Sequence, residues 1–211
     1  MAVNDSANNL INQEVRGQQA SVFFAGARAL AKDYFLLTKP RVINLLLLTT
    51  WAAMFIADKP GWGWQLFVVT GLGLFMSAGS AHVFNNVYDR DIDGRTNRTA
   101  SRAVVAGRVS VLHAMVYGFV LGIGAFLLLW FGANLLSACM AMAGLLFYVF
   151  IYTIWLKRRT WSNIVIGGAA GAFPPLVGWT AVTGNLNWLA WLLFAIIFLW
   201  TPVHFWALAI L

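Results

Sequence analysis

Beyond its first forty residues the chain alternates long apolar stretches with short polar turns. Six such stretches run approximately over 42–57, 64–84, 110–131, 134–155, 162–183 and 188–211. A hydrocarbon core of about 30 Å needs roughly 20 helical residues, so most of them predict membrane-spanning helices. The first is short and borrows residues from its basic flank. Residues 1–25 are polar with no helical apolar stripe and predict a disordered tail. A short amphipathic segment follows over 25–35, ending in the basic turn Leu37-Thr38-Lys39-Pro40-Arg41. The expected organisation is a tail over 1–33 and a membrane domain over 34–211, all-α, a polytopic transmembrane helix bundle. Span six reaches Leu211 with no polar flank, so the expectation is a bundle cut inside or just after that span.

Small residues punctuate two of the spans: Gly71, Gly73, Ser77, Gly79 and Ser80 in the second, and the run Gly167 to Ala172 in the fifth. They predict close helix–helix approach in lipid. Pro174-Pro175 predicts a break or kink in span five, and Pro202 a kink in span six.

Composition agrees with the pattern. The chain is 61% hydrophobic and 10% charged, against roughly 25% charged residues in a soluble domain, and its mean hydropathy is +0.75. The net charge of +7 does not point to nucleic acid, because the few charges sit in short loops. Thirteen of the fourteen basic residues fall on one side: five before span one, five in the loop after span two, and Lys157, Arg158 and Arg159 after span four. The positive-inside rule then makes the N-terminus and both of these loops cytoplasmic. The single cysteine, Cys139, lies in an apolar run and reads as a small packing residue.

One polar stretch stands against this background: Asn85 to Arg102, NNVYDRDIDGRTNRTASR. Asn85, Asp89 and Asp93 lie at i, i+4 and i+8, so a helix puts them on one face. Carboxylates four residues apart suit Mg²⁺, which takes a few oxygen ligands and keeps waters and phosphate oxygens in its shell. Asp91 points off that face, free for a second ion or a helix cap. Arg95, Arg98 and Arg102 follow, and Lys157 with Arg158 form a second basic cluster; guanidinium forks and ammonium groups bind phosphate. Tyr152, five residues before Lys157, can donate to the same anion. The alternative is a solvated loop whose acids balance its arginines, with the cations and Tyr152 as interfacial anchors. His204 sits within span six and His82 one turn before Asn85. An ionisable group at such depth is a candidate for function, as a ligand to porphyrin iron, a partner for a propionate, or a donor to a kinked backbone carbonyl.

These segments resemble a known family. Asn85-x3-Asp89-x3-Asp93 resembles the first aspartate-rich motif of the UbiA superfamily of intramembrane polyprenyltransferases. Leu37–Val42, Tyr88–Asp93, Tyr152-x4-Lys157-Arg158-Arg159-Thr160, Asn163–Gly168 through Pro174-Pro175, and Leu199–Leu208 resemble its protoheme IX farnesyltransferase (heme O synthase) branch. The resemblance spans roughly residues 34–211. It implies a bundle of about nine helices around a cavity open to the bilayer, in which farnesyl diphosphate is held through Mg²⁺ by two aspartate motifs. It also implies transfer of the farnesyl group to a vinyl group of heme B, and candidate partners among proteins that handle heme or assemble terminal oxidases. On this chain Asn85, Asp89 and Asp93 match the metal-binding motif. Lys157 and Arg158 match diphosphate-neutralising positions, Tyr152 matches a tyrosine beside them, and Arg102 and His204 join the expected substrate-binding set. The second aspartate motif is expected beyond Leu211, Val203 stands where a second proline is expected, and Ala103 where a proline usually follows arginine. The implied setting is a bacterial inner membrane.

Two other readings differ in kind. A prenyltransferase for a quinone precursor would share the site and change only the acceptor. A heme carrier for oxidase assembly would use the histidines and arginines without turnover. The signature of CDP-alcohol transferases is represented only by the fragment Asp93-Gly94-Arg95.

Overall fold

A computed structural model describes residues 26–57, 60–160 and 162–210. The predicted disordered tail over 1–25 lies outside the described residues. All regular structure among the described residues is helical: α1 over residues 26–37, α2 Pro40–Ile56, α3 Trp64–Tyr88, the single turn α4 Arg90–Asp93, α5 Val111–Gly132, α6 Leu135–Leu146, α7 Asn163–Thr183 and α8 Trp188–Ile210. α6 continues without a gap into π-helical turns over Phe147–Leu156. Five of these helices are long and apolar enough to cross a membrane: α3, α5, α6 with its π-helical continuation, α7 and α8. α2, with 17 residues, spans about 26 Å at 1.5 Å per residue, a little under a hydrocarbon core.

Local chemistry sets the helix ends. Pro40 opens α2, where its missing N–H leaves no bond unmade. Ser110 and Asn134 cap α5 and α6 by accepting from the backbone N–H groups of His113 and Ser137, satisfying donors that the first helical turn leaves orphaned. Gly184 closes α7 with φ 69°, a left-handed conformation that glycine adopts without penalty.

The bundle is turned outward in its hydrophobicity. Large apolar side chains such as Leu45, Leu48, Val120, Ile123 and Leu199 are exposed, while Thr50, Thr70, Ser77, Ser80, Thr153 and Thr180 are buried. Lipid accepts the former. Several buried hydroxyls bond across helices: Thr50 to the Pro174 carbonyl at 3.1 Å, Ser77 to Ala141 at 3.0 Å, Ser80 to Gly118 at 2.7 Å and Ser137 to Val177 at 3.1 Å. Each such bond contributes about 0.6 kcal/mol in a membrane, up to roughly 1.7. Small residues supply the close approach. Gly73 faces Leu129 and Gly118 faces Phe84, and a Cβ at Gly178 would meet the Thr50 carbonyl itself.

The structure bears on three expectations. Pro174 and Pro175 do not break α7, which stays helical through both, and Pro202 likewise lies inside α8. Thr50 of α2 donates to the Pro174 carbonyl beside the proline pair. Cys139 is exposed on the outer surface rather than packed between helices. The short segment expected over 25–35 corresponds to the α1 helix, and Asp33 there takes a two-pronged bond from Arg108 at 2.8 and 3.0 Å. The loop between α4 and α5 is held from beneath by a buried cluster of Leu37, Val83, Ala103, Val104, Val109 and Ala114. Ala103, where a proline was expected, is one of its members.

Candidate active site at the end of the third helix

α3 ends at Tyr88, and Asp89 joins it to α4. The joint keeps helical register: the Asp89 N–H donates to the Asn85 carbonyl and the Asp93 N–H to the Asp89 carbonyl, both at 2.9 Å. Asn85, Asp89 and Asp93 therefore stay on one side, and all three are buried. Asp91 turns the other way, with half of its side chain exposed.

Each of the three oxygen-bearing side chains meets one cation. Lys39 donates from Nζ to Asn85 Oδ1 at 2.8 Å. Lys157 donates to Asp89 Oδ2, and Arg102 to Asp93 Oδ2. The Asn85 amide nitrogen completes the chain by donating to Asp89 Oδ2 at 2.6 Å and to Thr153 Oγ1 at 3.3 Å. Neighbouring bonds stiffen the frame: Asn86 Nδ2 donates to the Leu37 carbonyl at 2.8 Å, and Thr99 Oγ1 to the Asp93 carbonyl at 2.8 Å.

The π-helical turns bring Lys157 into place. Its N–H donates to the carbonyl of Tyr152, five residues back, at 2.9 Å. At 3.6 residues per turn, residues five apart lie well round a helix from each other; i→i+5 bonding stacks them. Lys157 thereby comes to the side of Tyr152, with Tyr148 four residues before that ring, and all three border the same cavity.

That polar cavity has a volume of about 270 Å³ and is lined by Asn85, Asp93, Arg98, Arg102 and Lys157 among others. A second cavity of about 350 Å³ runs into the bundle between α2, α3, α6 and α7, lined by Leu46, Leu74, Leu145, Phe173 and Val177 among others. Lys39, Tyr148 and Tyr152 line both. The Tyr152 ring lies against Gly167, where a Cβ would overlap it, while Gly171 faces open space in the apolar cavity. His82 also lines the apolar cavity, edge-on to Tyr148 with ring centroids 5.3 Å apart. Its Nδ1 is buried without a hydrogen-bond partner.

Two predicted residues stand apart. Arg158 grips Asp91 at 2.7 and 2.9 Å, donates to the Tyr88 carbonyl at 2.9 Å and covers the Tyr88 ring at 4.5 Å; it lines neither cavity. This pair holds the Asp91 carboxyl below its ordinary range. His204 is exposed and stacks on Trp200, while its neighbours Thr201 and Phe205 reach the apolar cavity. Conversely, sequence reasoning passed over Lys39 and Tyr148. Lys39 looks like one more loop cation, but it carries φ 56°, a left-handed backbone that costs any residue with a Cβ and recurs at functional sites. Burial, and then the nearby Arg102, push its ammonium down to about 8.

The donor set suits a hard cation. Asp89 is 1% exposed, and its Oδ1 is buried with no hydrogen-bond partner, so one carboxylate oxygen is uncommitted. Two carboxylates and an amide oxygen match Mg²⁺, which completes its shell with water and phosphate oxygens. No closed cage of three or more His, Cys, Asp or Glu side chains exists among the described residues.

Comparison with known proteins follows the same lines. The chain is 59% identical over 181 residues to a protein named protoheme IX farnesyltransferase from Thermus thermophilus, covering 85% of this chain and 30% of that protein. Relatives of the same name from Acaryochloris marina and Deinococcus radiodurans are 57% and 56% identical, with 85% of this chain and 55% and 59% of theirs covered. The chain thus spans well under two thirds of the length of these relatives. Among solved structures, a UbiA homolog from Archaeoglobus fulgidus bound to DMAPP and Mg²⁺ shares the fold with a TM-score of 0.69 at 16% identity, over 82% of this chain and 61% of that one. The same homolog bound to GPP and Mg²⁺ gives 0.66 at 17% identity, over 79% and 60%. The model of the UbiA prenyltransferase family matches residues 46–211. With its helical bundle and its site at the end of α3, the chain belongs to the UbiA prenyltransferase family.

Proposed function

We propose that this chain carries the diphosphate-binding part of an enzyme that transfers the farnesyl group of farnesyl diphosphate to a vinyl group of heme B, forming heme O. The observation that carries the reading is the junction of the two cavities. A polar chamber lined by cations and the Asp93 carboxylate adjoins an apolar one, and Lys39, Tyr148 and Tyr152 line both. A prenyl diphosphate has the same two halves. The naming of the relatives supports the farnesyl donor and the heme acceptor.

Cleavage of an allylic C–O bond builds negative charge on the leaving diphosphate. Cations aimed at that charge stabilise the transition state more than the ground state. Lys157, Arg102 and Lys39 have the charge and the position to do this. Mg²⁺, held by Asp89 and Asp93 with Asn85 in support, would supply further neutralisation of the same charge. The apolar walls exclude water from the allylic carbon. The rings of Tyr148 and Tyr152, at the border, offer π faces to positive charge developing there. The setting is a bacterial inner membrane with the N-terminus and the site on the cytoplasmic side, as the basic loops favour. Terminal oxidase assembly proteins are the natural recipients of the product.

The test is the full-length protein in membranes supplied with farnesyl diphosphate and heme B. Heme O, read by mass spectrometry, forms with Mg²⁺ and disappears in Asp89→Ala and Asp93→Ala. Undiminished product in both variants overturns the assignment. Prenylation of a quinone precursor instead of heme moves the acceptor, and heme binding without turnover makes the protein a carrier.

A further inference from the structure

The three cations and the three oxygen ligands correspond one to one: Lys39 with Asn85, Lys157 with Asp89, Arg102 with Asp93. Lys39 belongs to this set by geometry as firmly as the other two. The Asn85 amide is fixed from both sides, since its oxygen accepts from Lys39 while its nitrogen donates to Asp89. Only one orientation of the amide satisfies both. The oxygen that would face a metal is therefore the one that Lys39 occupies, and Lys39 reaches it from a left-handed backbone at the mouth of α2.

We propose that Lys39, Lys157 and Arg102 form a resting triad that stands in for the metal, and that Lys39 is a diphosphate-positioning residue which leaves Asn85 when substrate arrives. This rests on the reading of the site as a prenyl diphosphate site. A divalent cation entering alone has to displace three positive groups from their acceptors and then sit among them. A diphosphate entering alone meets cations already satisfied by two carboxylates and the Asn85 amide oxygen. When both enter, the cations transfer to diphosphate oxygens and the metal takes Asn85, Asp89 and Asp93. Metal and diphosphate therefore bind with strong mutual reinforcement, and by linkage each raises the affinity of the other by the same factor.

The experiment uses Mn²⁺ as an EPR-visible substitute for Mg²⁺ and inorganic pyrophosphate as the anion, on the full-length protein in lipid nanodiscs. Pyrophosphate should tighten Mn²⁺ binding by about tenfold or more, within the usual range of such couplings. Lys39→Met should bind Mn²⁺ alone more tightly than the native protein, because one competing cation is gone, and should lose most of the tightening by pyrophosphate. Lys39→Arg should retain it. A lysine that merely supports the fold would weaken both conditions together. If Lys39→Met does not fold, Arg102→Gln provides the same comparison at Asp93. Equal Mn²⁺ affinity with and without pyrophosphate, both ligands binding, overturns the triad and leaves the proposed function standing. Failure of both ligands to bind overturns the proposed function and the triad with it.

Discussion

Arg158 clasps Asp91 with both arms of its guanidinium, at 2.7 and 2.9 Å, and in doing so faces away from the chamber that its neighbour Lys157 enters. Two adjacent cations thus have different tasks: one reaches the buried carboxylates, the other fastens the loop after the π-helical turns to the end of α3. Arg158→Ala should raise the KM for farnesyl diphosphate by no more than about threefold, as for an exposed ion pair, and Lys157→Ala by at least ten times as much. Exchanging the charges, with Asp91→Arg and Arg158→Asp together, should recover what the single change loses. Steady-state kinetics on the three variants checks both points.

Asp89 is the most deeply buried member of the acidic face, and its replacement strands Lys157. Asp89→Asn keeps the shape and removes the charge. Product formation should fall by about 100-fold or more, the usual scale for losing one electrostatic contact to a leaving group. Chelation with EDTA should abolish product in the native protein, and Mg²⁺ should restore it. Heme O measured by mass spectrometry reports each outcome.

The Arg108–Asp33 fork ties α1 to the loop above the site. Arg108 holds the Asp33 carboxyl below its ordinary value of 3.8. A carboxyl whose folded pKa is depressed stabilises the folded state above its unfolded pKa and loses that contribution as pH falls through the folded value. The tether should therefore hold at neutral pH and release at a pH below 3.8. A spin label on α1 should show sharp, mobile spectra in acid, and Asp33→Asn should show them already at pH 7. Unchanged mobility in that variant would exclude the tether.

Gly167 and Gly178 make opposite kinds of room. A Cβ at Gly167 meets the Tyr152 ring, which can swing; a Cβ at Gly178 meets the Thr50 carbonyl, which is part of a helix and cannot. Gly167→Ala should cost about 1–3 kcal/mol of stability as overpacking does and reduce turnover by displacing Tyr152. Gly178→Ala should cost more than about 3 kcal/mol, at the upper end of that effect, by parting α2 from α7. Thermal unfolding in detergent, beside activity, separates the two.

The bundle was legible because apolar length is a strong signal in a membrane protein: five of the six apolar stretches correspond to helices long enough to span, and the acidic spacing placed Asn85, Asp89 and Asp93 on a shared side. What escaped was contact across the sequence. Lys39 pairs with a residue 46 positions away through a left-handed turn that no pattern of polarity announces. Arg158 and Lys157 are indistinguishable as neighbours until the helix register is known. Pro174 and Pro175 predict a break or a kink from local chemistry, and α7 is not broken at either. Cys139 lies among apolar residues that face lipid, and in a membrane an apolar neighbourhood does not mean an interior one.

The register of Phe147–Leu156 leaves a mark on how this family's sequences can be compared. In i→i+5 turns the alignment of Tyr148, Tyr152 and Lys157 depends on the number of residues between them as much as on their identity. If the segment relaxed to α-helix with every residue kept, Lys157 would move about 100° around the axis from its place beside Tyr152, whereas deleting one residue between the two lets an i→i+4 turn keep them on one face. A one-residue gap between the tyrosine and the lysine is therefore compatible with the same lysine position, its turns α-helical instead of π-helical.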